Sequence, residues 1–176
     1  MSDVAALISI VTENIHRAFD GVLLGDGVSL LQAEVIDRYG EGCTDKEFEE
    51  MKQSEVVNDW SKVSLAELDR DNVAHFDAAG FRYYLPALML SVIEHYNSSS
   101  MRVIGTISAL YPKKEYWAYH MERYSLLTFE QKRAIAKFLD ALPEIIPLDV
   151  EDKKIVQRAL NNYWNEFLPI HVPPGA

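Results

Sequence analysis

Histidine, aspartate and cysteine are the residues of this chain whose chemistry could support a metal site or catalysis. His75 and Asp77 are two positions apart, so on a predicted strand both side chains point to one face and could bind a metal. A metal site needs three or four ligands, and no HExxH or CxxC spacing supplies the others. Asp77 is also explained as a turn residue. We therefore predict no metal and no cofactor.

Three further residues could act in acid–base or nucleophilic catalysis. His95, near the end of a predicted helix, and His120, in an aromatic stretch, could serve as a general acid or base. A histidine in the last turn of a helix is equally well explained by its interaction with the helix dipole. Cys43 lies at the start of a predicted helix, where a thiolate is favoured, but an ordinary loop cysteine is the simpler interpretation. The sequence therefore predicts no catalytic residue.

The elements that would position these residues are mainly helical. A short hydroxyl side chain followed three residues later by Glu or Gln is the capping-box pattern of a helix start. Four such pairs occur: Ser29 with Gln32, Thr44 with Glu47, Ser64 with Glu67, and Thr128 with Gln131. The last three predict helices over 45–59, 65–70 and 129–142.

Apolar residues at spacings of three and four predict helices near both ends of the chain as well. Near the start they are Val4, Leu7, Ile8, Val11, Ile15, Ala18 and Phe19. Near the end they are Val156, Leu160, Tyr163, Trp164 and Phe167. Prolines at 169, 173 and 174 predict that residues 1–168 form a single domain and that 169–176 form a flexible tail.

One segment has the pattern of a β-hairpin. Residues 73–77 and 81–85 flank a turn at 77–80, in which Asp77 and Gly80 suit the tight backbone. Strand alternation places Arg82 and Tyr84 on one face, which is a candidate surface for a ligand or partner. A helix would then start at Pro86. The predicted fold is mainly α, a single domain with one small β-hairpin (about residues 73–85) packed on the helices.

Charge and composition limit the classes of partner. The 176 residues include 17 basic and 27 acidic side chains, for a net charge of −10. This charge repels nucleic acids and anionic membrane surfaces and favours a protein partner with a basic surface. A single cysteine, Cys43, indicates a reducing compartment, and the chain has neither a signal-peptide pattern nor an apolar run of about 20 residues. We predict a cytoplasmic protein that contacts neither nucleic acid nor membrane.

Several stretches together resemble a known family. They are LGDGVSL at 24–30, the Asp59-Trp60 pair, and GFRYYLPA at 80–87, with similar segments between residues 10 and 142. On these motifs the chain resembles an uncharacterised bacterial family of small, mainly helical proteins, a domain of unknown function. The resemblance implies a fold and supplies no catalytic residues to carry over.

Aromatic residues with polar groups are the strongest functional signal, because such rings are enriched at protein interfaces. The candidate binding residues are Trp60, Arg82, Tyr84, Trp117, Tyr119 and His120. The leading hypothesis is a non-enzymatic protein-binding module, for example a bacterial inhibitor or immunity-type partner. One alternative is a small-molecule enzyme or ligand-binding protein with a pocket near the hairpin. The other is a structural subunit that buries the aromatic stretch at 111–124 in a homo-oligomer.

Overall fold

The computed structural model describes residues 3–40, 42–70 and 73–169, and these residues form helices and loops without a strand. The α-helices are α1 (Asp3–Phe19), α2 (Leu30–Asp37), α3 (Asp45–Glu50), α4 (Leu65–Leu68), α5 (Ala78–Glu94), α6 (Met101–Ala109), α7 (Trp117–Arg123), α8 (Phe129–Ile145) and α9 (Val150–Asn162). Short 3₁₀ helices cover Met51–Ser54, Trp60–Lys62, Val73–His75, Lys114–Tyr116 and Trp164–Phe167.

The four predicted capping boxes are confirmed and mark the starts of α2, α3, α4 and α8. In each one the hydroxyl accepts the N–H three residues on, and the Glu or Gln side chain accepts the N–H of the hydroxyl residue. Each pair thus satisfies two backbone donors that the first turn leaves free. Helix ends were less well predicted: α3 gives way to a 3₁₀ turn after Glu50, and α8 extends to Ile145.

The predicted β-hairpin at 73–85 is wrong. Val73–His75 is a 3₁₀ turn, and residues 78–85 are the first half of α5. Asp77 is the N-cap of that helix, since its Oδ1 accepts the N–H of Gly80 at 2.8 Å. Pro86 lies inside the helix and does not start it. The strand alternation that placed Arg82 and Tyr84 on one face therefore does not apply.

Helix α5 is the centre of the fold. It packs against α1, α4, α6, α7 and α8. Phe81, Tyr83, Leu85, Leu88 and Met89 are all buried, although they lie on different sides of the helix. A helix that is buried on every side has no polar face, so its sequence lacks the alternation that normally reveals helical periodicity.

The loop of the LGDGVSL stretch lies directly against the start of α5. Asp77 Oδ1 accepts the N–H of Val28 at 2.9 Å as well as that of Gly80. A Cβ atom on Gly27 would lie 2.6 Å from the Gly80 nitrogen, and one on Gly80 would overlap the Val28 carbonyl oxygen. Two backbones meet here without room for a side chain. The contact joins two of the three motifs that carried the family resemblance.

Gln131 connects three helices from a buried position near the start of α8. Its Nε2 donates to the Ala18 carbonyl of α1 at 3.2 Å. Its Oε1 accepts from Arg82 Nε of α5 at 3.0 Å and from the Thr128 N–H at 3.1 Å. The same glutamine that completes a capping box therefore also holds α1 and α5 against α8.

The predicted domain boundary falls at the end of the described chain. The buried core is continuous from Val11 in α1 to Trp164 after α9. Most of the predicted tail, residues 170–176, lies outside the described residues. The division into a domain at 1–168 and a tail at 169–176 stays a prediction.

None of the described helices combines the length and apolar character that crossing a membrane requires.

Candidate functional site

Helix α7 carries three of the six predicted binding residues: Trp117, Tyr119 and His120. Trp117 and Tyr119 are exposed, whereas His120 is buried. The preceding 3₁₀ turn, Lys114–Tyr116, adds the exposed ring of Tyr116. The aromatic stretch at 111–124 therefore contains both buried and exposed residues.

Trp60 lies away from α7 and is buried. Its Nε1 donates to the Phe19 carbonyl at 2.8 Å, and its ring is 5.0 Å from that of His16. Trp60 lines a cavity of about 260 Å³ together with His16, His95 and other residues. The hydrogen bond to the end of α1 gives Trp60 a structural role.

Tyr84 is buried as well, and so it presents no exposed face. Its ring stacks on Phe76 at 4.9 Å, and its hydroxyl has no hydrogen-bond partner among the described residues. Oε2 of Glu55 is also buried without a hydrogen-bond partner among the described residues. The other carboxyl oxygen, Oε1, accepts the Leu31 N–H at 3.2 Å. Burial, and then the charge of Glu55, raise the pKa of Tyr84. Burial also raises the pKa of Glu55, against hydrogen bonds that lower it.

The raised pKa of Glu55 predicts a pH-dependent loss of stability. The folded protein holds this proton more tightly than the unfolded chain does, whose pKa is about 4.3. The stability that the bound proton of Glu55 gives to the folded protein is therefore fully present below the unfolded-state pKa. It is lost as the pH rises through the folded-state pKa. Glu55→Gln cannot ionise, so its free energy of unfolding should improve relative to wild type between pH 4 and pH 7. Urea unfolding at both pH values, with the exposed Glu49→Gln as control, measures the difference.

Equal pH dependence of Glu55→Gln and wild type would show that the carboxyl is not held in a desolvated state. The Glu49→Gln control removes the general effect of one acidic charge from a chain of net charge −10.

The exposed edge of α7 continues into a row of aromatic rings from two other segments, the start of α8 and the segment after α9. The Trp117 ring is 5.9 Å from Tyr163, which is 5.2 Å from Phe167, which is 5.9 Å from Phe129. We call Trp117, Tyr163, Phe167 and Phe129 the aromatic band. Its outer members are exposed, Trp117 by 40% and Phe129 by 61%. The ammonium of Lys132 covers the two inner rings, 5.6 Å from Tyr163 and 5.5 Å from Phe167.

The band rests on the core through Trp164. This fully buried ring contacts Tyr163 at 4.9 Å and Tyr124 at 5.0 Å, and its Nε1 donates to the Leu110 carbonyl at 2.6 Å. Neighbouring rings meet mostly edge to face, which is a favourable geometry for aromatic pairs. The band is thus a supported row of rings and not a set of separate mobile side chains.

The opposite edge of α7 contains Arg123, which is only 4% exposed. Its Nη2 donates to the Ala74 carbonyl at 2.6 Å and also contacts the Tyr119 hydroxyl. The guanidinium carbon lies 4.5 Å from the Tyr119 ring centre and 5.3 Å from that of Phe81. Arg123 lines two neighbouring cavities, of about 430 and 330 Å³.

His120 lies beside Arg123 and is held neutral. Burial, followed by the charges of Arg123 and Lys113, lowers the pKa of His120. Its Nδ1 is 3.5 Å from the Tyr124 hydroxyl, which itself bonds the Ala109 carbonyl at 2.6 Å. At neutral pH the wall of the smaller cavity therefore contains one charge, that of Arg123, with neutral polar groups beside it.

The remaining candidates for chemistry do not meet at one place. His75 Nε2 lies 2.9 Å from Asp37 Oδ1, while Asp77 caps α5. Arg82 bonds Gln131, and His95 lies in the Trp60 cavity. Within residues 3–40, 42–70 and 73–169, no group of three or more His, Cys, Asp or Glu side chains is placed to hold a metal ion.

Comparison with known protein families accounts for nearly the whole described chain. Residues 8–168 match the model of a family of unknown function, DUF6714. The chain belongs to this family. No curated protein and no solved structure matches it. The resemblance inferred from the sequence motifs is confirmed, whereas the bacterial origin that it implied stays a prediction. In this DUF6714 chain the matched region includes α7, the aromatic band and both Arg123 cavities.

Sequence reasoning did not identify Arg123 as a candidate, nor three members of the aromatic band, Phe129, Tyr163 and Phe167. Phe129 gave a usable signal, because it directly follows the cap Thr128 and begins a helix whose apolar face lies on other residues. Tyr163 and Phe167 were assigned to the buried face of the last helix, yet both are only partly buried. Arg123 gave no signal of its own, since nothing in its neighbours distinguishes it from the other basic residues.

Proposed function

We propose that this DUF6714 chain is a non-enzymatic protein-binding module that docks a partner of basic net charge on the aromatic band. The observation that supports the proposal is the continuous row of rings from Trp117 to Phe129, partly exposed and backed by buried Trp164. Large aromatic side chains held in place before binding lose little conformational freedom on docking. Such residues often supply most of the binding energy of an interface.

The charge of the chain supports a basic partner. A net charge of −10 attracts a positively charged protein over a long range and speeds their encounter. The exposed rings of Trp117 and Phe129 could then accept arginine or lysine side chains by cation–π contact. Lys132 already occupies the faces of Tyr163 and Phe167, so the two outer rings are the available anchors. An inhibitor or immunity-type role is one instance of such a module.

A cytoplasmic location is part of this proposal. Its support is the single thiol of Cys43, which is free and has no partner for an intrachain disulfide.

Replacing both outer anchors should weaken partner binding strongly while leaving the fold intact. Tagged wild type and a Trp117→Ser/Phe129→Ser variant would be used to recover partners from the native host, followed by titration of the purified partner. We expect a stoichiometric basic protein whose affinity falls about 100-fold in the variant, because each anchor contributes on the order of 1.4 kcal/mol or more. Leu23→Ser is the matched control, since Leu23 is 58% exposed and lies outside the band.

Three results would contradict the proposal. One is unchanged affinity in the double variant, and another is a captured partner with an acidic or neutral surface. The third is self-association: light scattering that shows a wild-type dimer and a monomeric double variant would identify the band as a contact between copies of this chain.

A further inference from the structure

Arg123 is a buried cation whose hydrogen-bonding capacity is only partly used. A guanidinium has five N–H donors, and within the described part of the chain Nη2 is the one nitrogen with partners, the Ala74 carbonyl and the Tyr119 hydroxyl. Nε is buried and has no partner among the described residues. Phe81 and Tyr119 offer the charge their ring faces, which attract a cation more weakly than a carboxylate does.

No described carboxylate neutralises this charge. Of the acidic residues that line the larger cavity, Asp77 is engaged in capping α5, and neither Asp77 nor Glu122 forms an ion pair with Arg123. The other buried arginine, Arg102, also has an unpartnered nitrogen, Nη1, but its charge is paired, since its Nε bonds Asp69 Oδ1 at 2.7 Å. Removing a charge from water without a counter-ion costs several kcal/mol. An anion that reaches Arg123 would offset that cost.

The smaller cavity beside Arg123 contains no acidic residue to repel an anion. Its volume is about 330 Å³, and Val73, Met101, Ile104 and Ala109 supply an apolar wall. Tyr119, neutral His120 and Arg123 supply the polar end. A mostly apolar, open groove with one cationic end matches a ligand that has an apolar body and ends in an anion.

We propose that this cavity binds a small monocarboxylate with an apolar body, with its carboxylate on Arg123. A single negative charge balances the single positive charge of the site. A phosphate or dicarboxylate would carry a second negative charge into a cavity whose described lining residues include no cation besides Arg123. The carboxylate would accept from the guanidinium of Arg123, and such charge-assisted hydrogen bonds are strong.

Hexanoate and its neutral counterpart hexan-1-ol form a direct test, since they share an apolar body and differ at the polar end. Titrations followed by ¹H–¹⁵N spectra should show hexanoate binding with a dissociation constant of about 10 mM or tighter, as expected for a ligand of this size. The Nε–H resonance of Arg123 should shift on saturation. Hexan-1-ol should bind about tenfold more weakly or worse, since it cannot form the charged hydrogen bonds. Phosphate should leave the Arg123 resonance unchanged.

Arg123→Met should remove the preference for hexanoate over hexan-1-ol while keeping the volume of the side chain. Arg133→Met is the matched control, because Arg133 is partly buried in a different groove between α1 and α8. Equal affinities of wild type for hexanoate and hexan-1-ol, or no saturable shift of Arg123 Nε–H, would overturn the proposal. Both measurements use the wild-type protein, so they test the proposed carboxylate site even if Arg123→Met does not fold. These outcomes are independent of partner binding at the aromatic band.

Discussion

Trp164→Ala is expected to destabilise the protein by about 3–5 kcal/mol, the range seen when a buried aromatic side chain is truncated to alanine. The side chain is 0% exposed and contacts the rings of Tyr124 and Tyr163. Truncation leaves a cavity and also removes the donor for the Leu110 carbonyl, which is bonded at 2.6 Å. Urea unfolding followed by far-UV circular dichroism would measure the loss without relying on tryptophan fluorescence.

Two variants control for the general effect of losing an indole. Trp117→Ala removes a tryptophan that is 40% exposed and should cost less than about 1 kcal/mol. Trp164→Phe keeps most of the packing but loses the hydrogen bond to Leu110. Its loss of stability should therefore lie between those of Trp117→Ala and Trp164→Ala. Equal destabilisation by Trp164→Ala and Trp117→Ala would mean that Trp164 does not connect the aromatic band to the core.

Gly80→Ala is expected to destabilise the protein by about 1–3 kcal/mol, the usual cost of inserting atoms into filled space. Helix propensity alone predicts the opposite sign, because alanine is favoured over glycine inside a helix by about 1 kcal/mol. The reversal arises because the new Cβ would overlap the carbonyl oxygen of Val28, which is backbone and cannot rotate away. The loop of Gly27 and Val28 would have to leave the start of α5.

Gly25→Ala separates this crowding from ordinary backbone strain. Gly25 has a φ of +57° and open space around its Cβ position. Alanine there should destabilise the protein only through the left-handed backbone conformation, by roughly 1 kcal/mol. Gly80 has a helical conformation and no space. Chemical denaturation of both variants compares the two costs. If Gly80→Ala proves as stable as wild type or more so, the close contact between the two motifs does not constrain the fold.

The start of a helix was predictable from this sequence more often than its interior. A capping box is a local arrangement of two side chains, so Ser29 with Gln32 and Thr128 with Gln131 could be recognised without knowing the fold. Only the second half of helix α5, from Pro86 onward, was recognised, because the aromatic residues of its first half favoured a strand. Asp77 was correctly identified as a residue that bonds nearby backbone, but as part of a turn and not as a cap.

The candidate site was predictable only where it is formed by neighbours in sequence. Trp117, Tyr119 and His120 share one short helix, and their composition alone marked that segment. The aromatic band draws its other rings from α8 and from the segment after α9, and such proximity depends on tertiary packing. The burial of Arg123 depends on Phe81 and Ala74, about 40 to 50 residues away. No local pattern carries that information.

The packing of α1 on α8 has a consequence for the order of events during synthesis. The hydrogen bond from Gln131 to Ala18 joins residues that are 113 positions apart. At a translation rate of roughly 5–20 residues per second, α1 waits roughly 6–23 seconds before that part of α8 has been made. Throughout this interval the apolar stripe of Val11, Ile15 and Phe19 lacks its final cover. During this time the same apolar segment of the nascent chain is available to a chaperone.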